Sequence, residues 1–530
     1  MGQSRRLVIA ACCALVLGCP ALLAQPVLEV DFGEPGPTRL TYGSESFLQD
    51  GAFRVWGAAF RTWDGERIQG DLAGEQRRFE PEGKRLVLTY PWGEVRCSYG
   101  VEPEQLRLGI EVENRSRAVL TELALCPLET AFPQPPQGWV PHMPYRGFNL
   151  GWPTINTAAC EKATVTVCNE DVGRPLQVGW AGRESLAARP LVVATVSDWA
   201  AELINPQLFR PIHPGQTDRF EITVRFAPAG VEPVAPAADL CARFAQEHPF
   251  RLKWEDRRPI GALFPSSSGL GAPRNPRGWF NDREADFLSE EGRAAFRERL
   301  LQWGRQSVEV IKGVGGQGMI VWDIEGQEYP HAISYLGDPR SLPPEMEPVA
   351  DEFFRLFTAA GLRTGVCLRP QLPVRAAYGD GVHQIEVADP LANLDAKLTH
   401  AKQRWGCTLF YVDSNGDPNV PLPVGVFREL ASRHPDVLLI PEHENAAYYA
   451  CTAPYSDYAN LKQLGTPAFV RRIYPEAFSF LYVGHGDPAV ARRELVEAVR
   501  QGDILVVHGW YAADSHAAIR EIYAEAAKAR

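Results

Sequence analysis

The chain has 530 residues, 45% hydrophobic and 22% charged, with a formal charge of −11. That length exceeds one ordinary core and predicts two or more domains. The composition excludes a disordered or fibrous chain, and the acidic balance argues against nucleic acid or an anionic membrane as partner.

The first element reads as a targeting segment. Arg5 and Arg6 precede the apolar run Leu7–Leu17, and Ala21-Leu22-Leu23-Ala24 offers small residues near a cleavage site before Gln25. A signal peptide over 1–24 predicts a secreted or periplasmic protein. Gly18-Cys19 makes a lipoprotein anchor the lesser alternative, because Leu17 fits that signal poorly. The run is short for a membrane span, and no later stretch resembles one. Removing the segment takes two arginines and no carboxylate, so the charge becomes −13. Eight of the eleven cysteines remain, none in a CxxC pair. Cys160 and Cys168 flank a hairpin-like stretch and could pair in an oxidising compartment; most of the others read as small buried residues.

Residues 27–230 read as strands. RLVLTYPW, LRLGIEVEN, AVLTELALCP, ATVTVCNE, PLVVATVSD and RFEITVRFAP alternate or run apolar between Gly, Pro, Asn and Asp turns. Long helical patterns are missing, so an all-β sandwich is expected. Residues 231–255 read as a linker with a connecting helix, ADLCARFAQE at 238–247.

From 256 to 530 strand and helix alternate. Strands are predicted at Pro259–Phe264, Gly318–Ile324, Arg363–Leu368, Thr408–Val412, Val437–Ile440, Phe478–Val483 and Ile504–Val507. Ser289 caps one helix, which closes at Gly313. Asp389-Pro390 opens another, with Leu391, Leu394, Leu398, Ala401 and Trp405 on one face and Gly406 after it. Asp487-Pro488 opens a third, and a last helix starts at Ser515. Some 275 residues in this rhythm predict a (β/α)₈ barrel, with the sixth strand somewhere in 446–475. A doubly wound sheet is the rival, but no glycine-rich phosphate loop follows any strand; GVGGQG at 313–318 precedes one.

In a barrel the active site lies past the C-terminal ends of the strands. Those ends carry Ser266–Ser268, Trp322-Asp323-Ile324-Glu325, Arg369-Pro370-Gln371, Asp413-Ser414-Asn415, Glu442-His443-Glu444-Asn445, His485 and His508-Gly509-Trp510-Tyr511. Counting by two puts Leu409, Tyr411 and Asp413 on one face, and Leu438, Ile440 and Glu442 on one face of the next strand. If both faces point inward, Asp413 and Glu442 converge. A carboxylate pair is what glycoside hydrolysis needs, one group protonating the leaving oxygen while the other attacks or activates water. Asp413 would be the nucleophile and Glu442 the acid/base. Trp322, Trp510, Tyr411 and Tyr511 could stack on the apolar faces of sugar rings. Asp323, Glu325, Arg369, Asn415, Glu444, His485 and His508 complete the expected substrate contacts, and the partner is an oligosaccharide or polysaccharide.

A β-sandwich fused to such a barrel resembles the retaining α-glycosidases that carry a galactose-mutarotase-like supersandwich; LRLGIEVENRSRAVLTELALCPLE (106–129) is similar to the paired strands of that domain. An Asp after the fourth strand with a Glu after the fifth resembles the α-amylase superfamily and the endo-α-N-acetylgalactosaminidases. The resemblance implies α-linked substrates, a nucleophile at Asp413 and an acid/base at Glu442. Tyr411 stands where the α-amylase superfamily has an Arg. The α-galactosidase-like clan takes its acid from an Asp after the sixth strand, and Asp457 in APYSDY is the nearest match.

Other readings compete. Asp413, Asn415 and Asp417 could hold calcium, although Val424 replaces the closing Glu of an EF-hand. Asp413 could simply cap a turn. Glu444 shares the parity of Glu442 and could be the acid instead. His331, His443, His485 and His508 could gather a metal, without an HExxH or HxH signature. A barrel that binds carbohydrate without cleaving it is the non-enzymatic alternative.

Overall fold

The computed structural model describes residues 26–131, 139–141, 155–159, 161–171, 176–180, 189–195, 210–232, 234–266, 271–326, 336–375, 382–417, 420–457, 465–483, 488, 491–508 and 513–528. The signal-peptide segment, Cys160, His331, His485, Trp510 and Tyr511 lie outside them. No helix among the described residues is long and apolar enough to cross a membrane.

The N-terminal part is antiparallel. One sheet of eight strands runs Trp139–Pro141, Ile155–Ala159, Ala163–Asn169, Thr217–Pro228, Gln105–Asn114, Gly93–Glu102, Arg85–Tyr90 and Gln76–Glu80. A second sheet is centred on Arg54–Arg61, Val119–Cys126 and Arg189–Ala194, and a small three-stranded sheet precedes both. Gln105–Asn114 shows why the pairing is stable. Leu106, Leu108, Ile110 and Val112 point inward and are fully buried, while the residues between them are half-buried. That alternation lets one face pack and the other meet water. Leu86, Leu88, Val165, Val167, Ile222 and Val224 complete the layer between the sheets. Cys168 is buried, and Cys160, with which it could pair, lies outside the described residues.

Helix α1 (Ala238–Glu247) leads into the second part. Its strands are β1 (Ile260–Leu263), β2 (Gly318–Val321), β3 (Arg363–Leu368), β4 (Leu409–Val412), β5 (Leu438–Pro441), β6 (Tyr455–Asp457), β7 (Phe480–Tyr482) and β8 (Ile504–His508). All pair in parallel, in the order β5-β4-β3-β2-β1-β8-β7-β6. The seam between β5 and β6 is bridged by the Ala453 amide, which donates to the Leu439 carbonyl at 3.0 Å. This is a nearly closed (β/α)₈ barrel behind a β-sandwich, and β6 is the strand that sequence patterning leaves unplaced.

Helices α2 (Glu290–Gly313), α3 (Ala350–Ala359), α4 (Pro390–Trp405), α5 (Val424–Arg433), α6 (Ala468–Ile473), α7 (Arg492–Arg500) and α8 (Ala513–Ala527) follow strands in turn. The local chemistry of α4 matches its sequence. The Asp389 side chain accepts from the Ala392 amide at 2.9 Å, Pro390 takes the first turn, and Gly406 ends the helix in the left-handed conformation at φ 68°. Leu394, Leu398, Ala401 and Trp405 are buried against the barrel wall. Full burial of each Leu contributes about 1.5–3 kcal/mol.

Period two decides what each strand shows. Leu263, Val321, Val366, Leu368, Phe410, Val412 and Leu439 face the helices. Ile260, Ala262, Ile320, Cys367, Leu409, Tyr411, Leu438, Ile440, Phe480, Ile504 and Val506 fill the barrel interior. The interior is a packed core, so chemistry is confined to its mouth.

Candidate active site at the barrel mouth

The strand ladders run one residue past the strands and set three side chains at one level. The Asp413 amide donates to Leu368 O at 2.9 Å, and the Glu442 amide donates to Val412 O at 3.0 Å. With Leu368 opposite Val412 and Val412 opposite Pro441, the next residues are Arg369, Asp413 and Glu442. Arg369 is held from above, its amide donating to Gly337 O at 3.0 Å. Gly337 is left-handed at φ 59°, and a Cβ there would stand 2.5 Å from the Arg369 nitrogen.

Arg369 Nη2 lies 2.6 Å from Asp413 Oδ1, both side chains nearly buried. Ser414 Oγ donates to the same Oδ1 at 2.8 Å, while its amide donates to Glu442 Oε2 at 2.7 Å. Ser414 makes both bonds by adopting φ 48°, a conformation that costs a non-glycine residue about 1–3 kcal/mol. His443 Nε2 stands 3.7 Å from Glu442 Oε2. Burial raises Asp413 above the ordinary carboxylate value; Arg369 pulls the other way, and Glu442 adds to the rise. Glu442 is the more open of the pair, its side chain 30% exposed.

Below this level lie the aromatic rings. Trp322 and Tyr411 are buried with centroids 4.5 Å apart, and Phe264, Tyr455 and Tyr482 continue the contacts around the barrel. They form the floor of the mouth rather than two exposed platforms. Asp323 is fully buried and accepts from Ser266 Oγ. Glu325 is 1% exposed, and among the described residues neither of its oxygens has a hydrogen-bond partner beyond its own backbone amide. Desolvation pushes it up to about 8; the amide pulls the other way, Asp338 and Asp323 add to the rise, and the protonated form predominates at pH 7.

Two expected substrate contacts bond protein groups. Strand β5 ends at Pro441, so parity no longer holds at residue 444. Glu444 turns into the interior, where Tyr449 OH donates to its Oε2 at 2.7 Å, and burial raises it to about 7. Asn415 is a brace: its Nδ2 donates to His443 O at 3.1 Å and its Oδ1 accepts from the His443 amide at 2.7 Å. The His443 amide bonds Asn415 Oδ1, and Arg369 and Ser414 bond Asp413 Oδ1, two oxygens that a calcium loop would use. Among the described residues no three His, Cys, Asp or Glu side chains are grouped to hold a metal.

Asp457 ends β6 two residues beyond Tyr455, and His508 ends β8 two residues beyond Val506. Both stand at the C-terminal ends of their strands, as Asp413 and Glu442 do. Sequence reasoning missed Lys397 and Asp338, which lie behind Arg369. Its spacing, three after Leu394 and four before Ala401, sets Lys397 at the flank of the buried face; only its residue type reads as solvent-facing.

No known protein family matches the chain, and no curated protein does. Among solved structures it is similar to the GH36 alpha-galactosidase AgaB from Geobacillus stearothermophilus, at 11% identity and TM-score 0.43, over 89% of this chain and 75% of that one. It is similar to the galactosidase domain of the alpha-galactosidase-sucrose kinase AgaSK, at 12% identity and TM-score 0.43, over 95% and 74%. A GH31 family sulfoquinovosidase from E. rectale gives 9% identity and TM-score 0.46, over 94% and 82%.

Proposed function

We propose that the chain is an exported glycoside hydrolase that cleaves α-linked glycans with retention, Asp413 acting as nucleophile and a second carboxyl group as acid/base. One observation carries this reading: Asp413 and Glu442 meet at one level of the barrel mouth, joined through Ser414, with Arg369 on Asp413. The α linkage is what the sandwich-and-barrel resemblance implies.

The steps follow from the contacts. Arg369 and Ser414 both bond Oδ1, which leaves Oδ2 as the attacking oxygen. Oδ2 bonds to the anomeric carbon as the bond to the leaving oxygen breaks, and the acid protonates that oxygen. The acid, now a carboxylate, then takes a proton from water, whose oxygen displaces Asp413 and restores both groups. Arg369 keeps Asp413 ionised against the cost of its burial. Activity should fall on acidification through a value above 3.8, because burial raises Asp413 from there.

Glu442 is the first candidate for the acid. A second reading rests on a specific observation: Asp413 and Glu442 bond the same serine and so crowd one wall. A scissile bond lies between nucleophile and acid, and Asp457 ends a strand two places round the barrel. In that case Glu442 orients Ser414 and His443.

The test is hydrolysis of aryl α- and β-glycosides and plant or mucin glycans by residues 25–530, beside Asp413→Asn, Glu442→Gln and Asp457→Asn. Turnover by the parent, lost in Asp413→Asn for every leaving group, supports the proposal. The acid variant is the one that retains activated substrates and is rescued by azide. Turnover that survives Asp413→Asn, or none on any substrate, contradicts it.

A further inference from the structure

The support of Asp413 reaches outward into a helix. Lys397 sits mid-way along α4 and is fully buried. Its Nζ donates to Arg369 O at 2.7 Å and to Gln371 O at 2.6 Å, with Asp338 Oδ2 at 3.8 Å. One turn earlier, Asn393 Nδ2 donates to Pro370 O at 2.8 Å and to Gln371 O at 3.0 Å. Residues four apart share a helix face, so two side chains hold three consecutive carbonyls just past β3. Arg340, bonded to Asp338 Oδ1 at 2.7 Å and to its Oδ2 at 2.6 Å, closes the cluster.

What those carbonyls belong to matters. Arg369 is the residue on Asp413, and Gln371 Nε2 donates to Ser414 O at 3.1 Å and to Glu386 Oε1 at 3.0 Å. The side-chain ties of Arg369 and Gln371 to the Asp413-Ser414 turn thus hang on a segment pinned from outside the barrel. A buried ammonium is a costly way to fill space, since an apolar side chain of that length would pack without desolvating a charge. Its returns among the described residues are two carbonyl bonds and the attraction of Asp338 and Glu325.

We propose that Lys397, assisted by Asn393, is a positioning residue for the nucleophile: it fixes the backbone of 369–371 so that Arg369 and Gln371 hold Asp413 and Ser414 in place. The inference rests on Asp413 being the nucleophile. The ionisable groups acting on Lys397 are Asp338, Glu325, Arg340 and Cys367; those acting on Asp413 are Arg369, Glu442 and His443. A Lys397 that serves packing alone would change stability and nothing else.

The experiment follows the protonation of Asp413 directly, by the infrared carboxyl band that disappears in Asp413→Asn, in folded full-length protein without substrate. Loosening Arg369 withdraws a positive partner, so the Asp413 titration should move to higher pH in Lys397→Met, as it does in Arg369→Gln. The double variant should move no further than Arg369→Gln alone, because both changes act through one contact. A folded Lys397→Met whose Asp413 titrates as in the parent overturns the proposal, as does a fully additive double variant. If Lys397→Met does not fold, Asn393→Ala carries the same comparison. The readout needs no turnover, so it is separate from the failure in which Asp413→Asn keeps activity and the nucleophile lies elsewhere.

Discussion

At the scale of single residues, the site is a set of buried charges that differ in how well they are compensated. Asp413 has Arg369; Lys397 has two carbonyls; Glu325 has, among the described residues, only its own backbone amide. A carboxyl raised from 4.5 to about 8 by folding binds a proton that the unfolded chain has already released. Its contribution to stability is therefore intact below pH 4.5 and lost as pH rises towards 8. Glu325→Gln should stay as stable as the parent near pH 4.5 and become more stable by a few kcal/mol, roughly, at pH 8. Urea unfolding at the two values checks this, and an equal effect at both would show that Glu325 does not titrate in this range. The pairing of Asp413 with Glu442 was legible because two strands of unbroken period two end at the same level. The Glu444 bond to Tyr449 was not legible, because Pro441 ends the strand and the count with it. Lys397 was passed over for its charge, although Leu394, Leu398 and Ala401 around it on the helix are buried.

Elements differ in legibility for equally physical reasons. Helix α4 announces itself by Asp389-Pro390 at one end and Gly406 at the other, and the structure uses all three as caps. Strand β6 is three residues long, contains Ser456 and follows the short turn of helix Ala446–Ala450, so neither length nor alternation marks it. The loops after β4 and β5 are joined by the reciprocal bonds of Asn415 with His443. Asn415→Ala would leave a buried amide and carbonyl unpaired, at about 1–3 kcal/mol. It should lower the melting temperature and reduce kcat more than it raises KM, since it loosens the turn carrying Asp413 without touching substrate. A change in KM alone would place Asn415 in the binding site after all. Asp389→Ala removes one cap and should cost about 1 kcal/mol in chemical unfolding.

Across the whole molecule, the sandwich and barrel are joined by packing and charge. Cys168 of the sandwich shares a buried cluster with α1 residues Leu240 and Phe244 and barrel residues Tyr449 and Phe469. Beside it Glu170 bonds Arg225 and Arg243, each at 2.6 Å. Glu170→Ala leaves Arg225 buried with Asp239, Thr223 Oγ1 and Pro236 O as partners, a loss below the roughly 3–5 kcal/mol of a fully uncompensated buried charge. Calorimetry should show one transition for the parent and two for this variant; one sharp transition in both would mean the charges do not couple the two parts. The central claim concerns Asp413, and the measurement that tests it most directly is covalent trapping. The protein is incubated with activated fluoroglycosides of both anomers, which slow hydrolysis of a glycosyl-enzyme, then digested and sequenced by mass spectrometry. The account predicts a single sugar ester on Asp413. A sugar on any other residue, or turnover with inversion and no adduct, would contradict it.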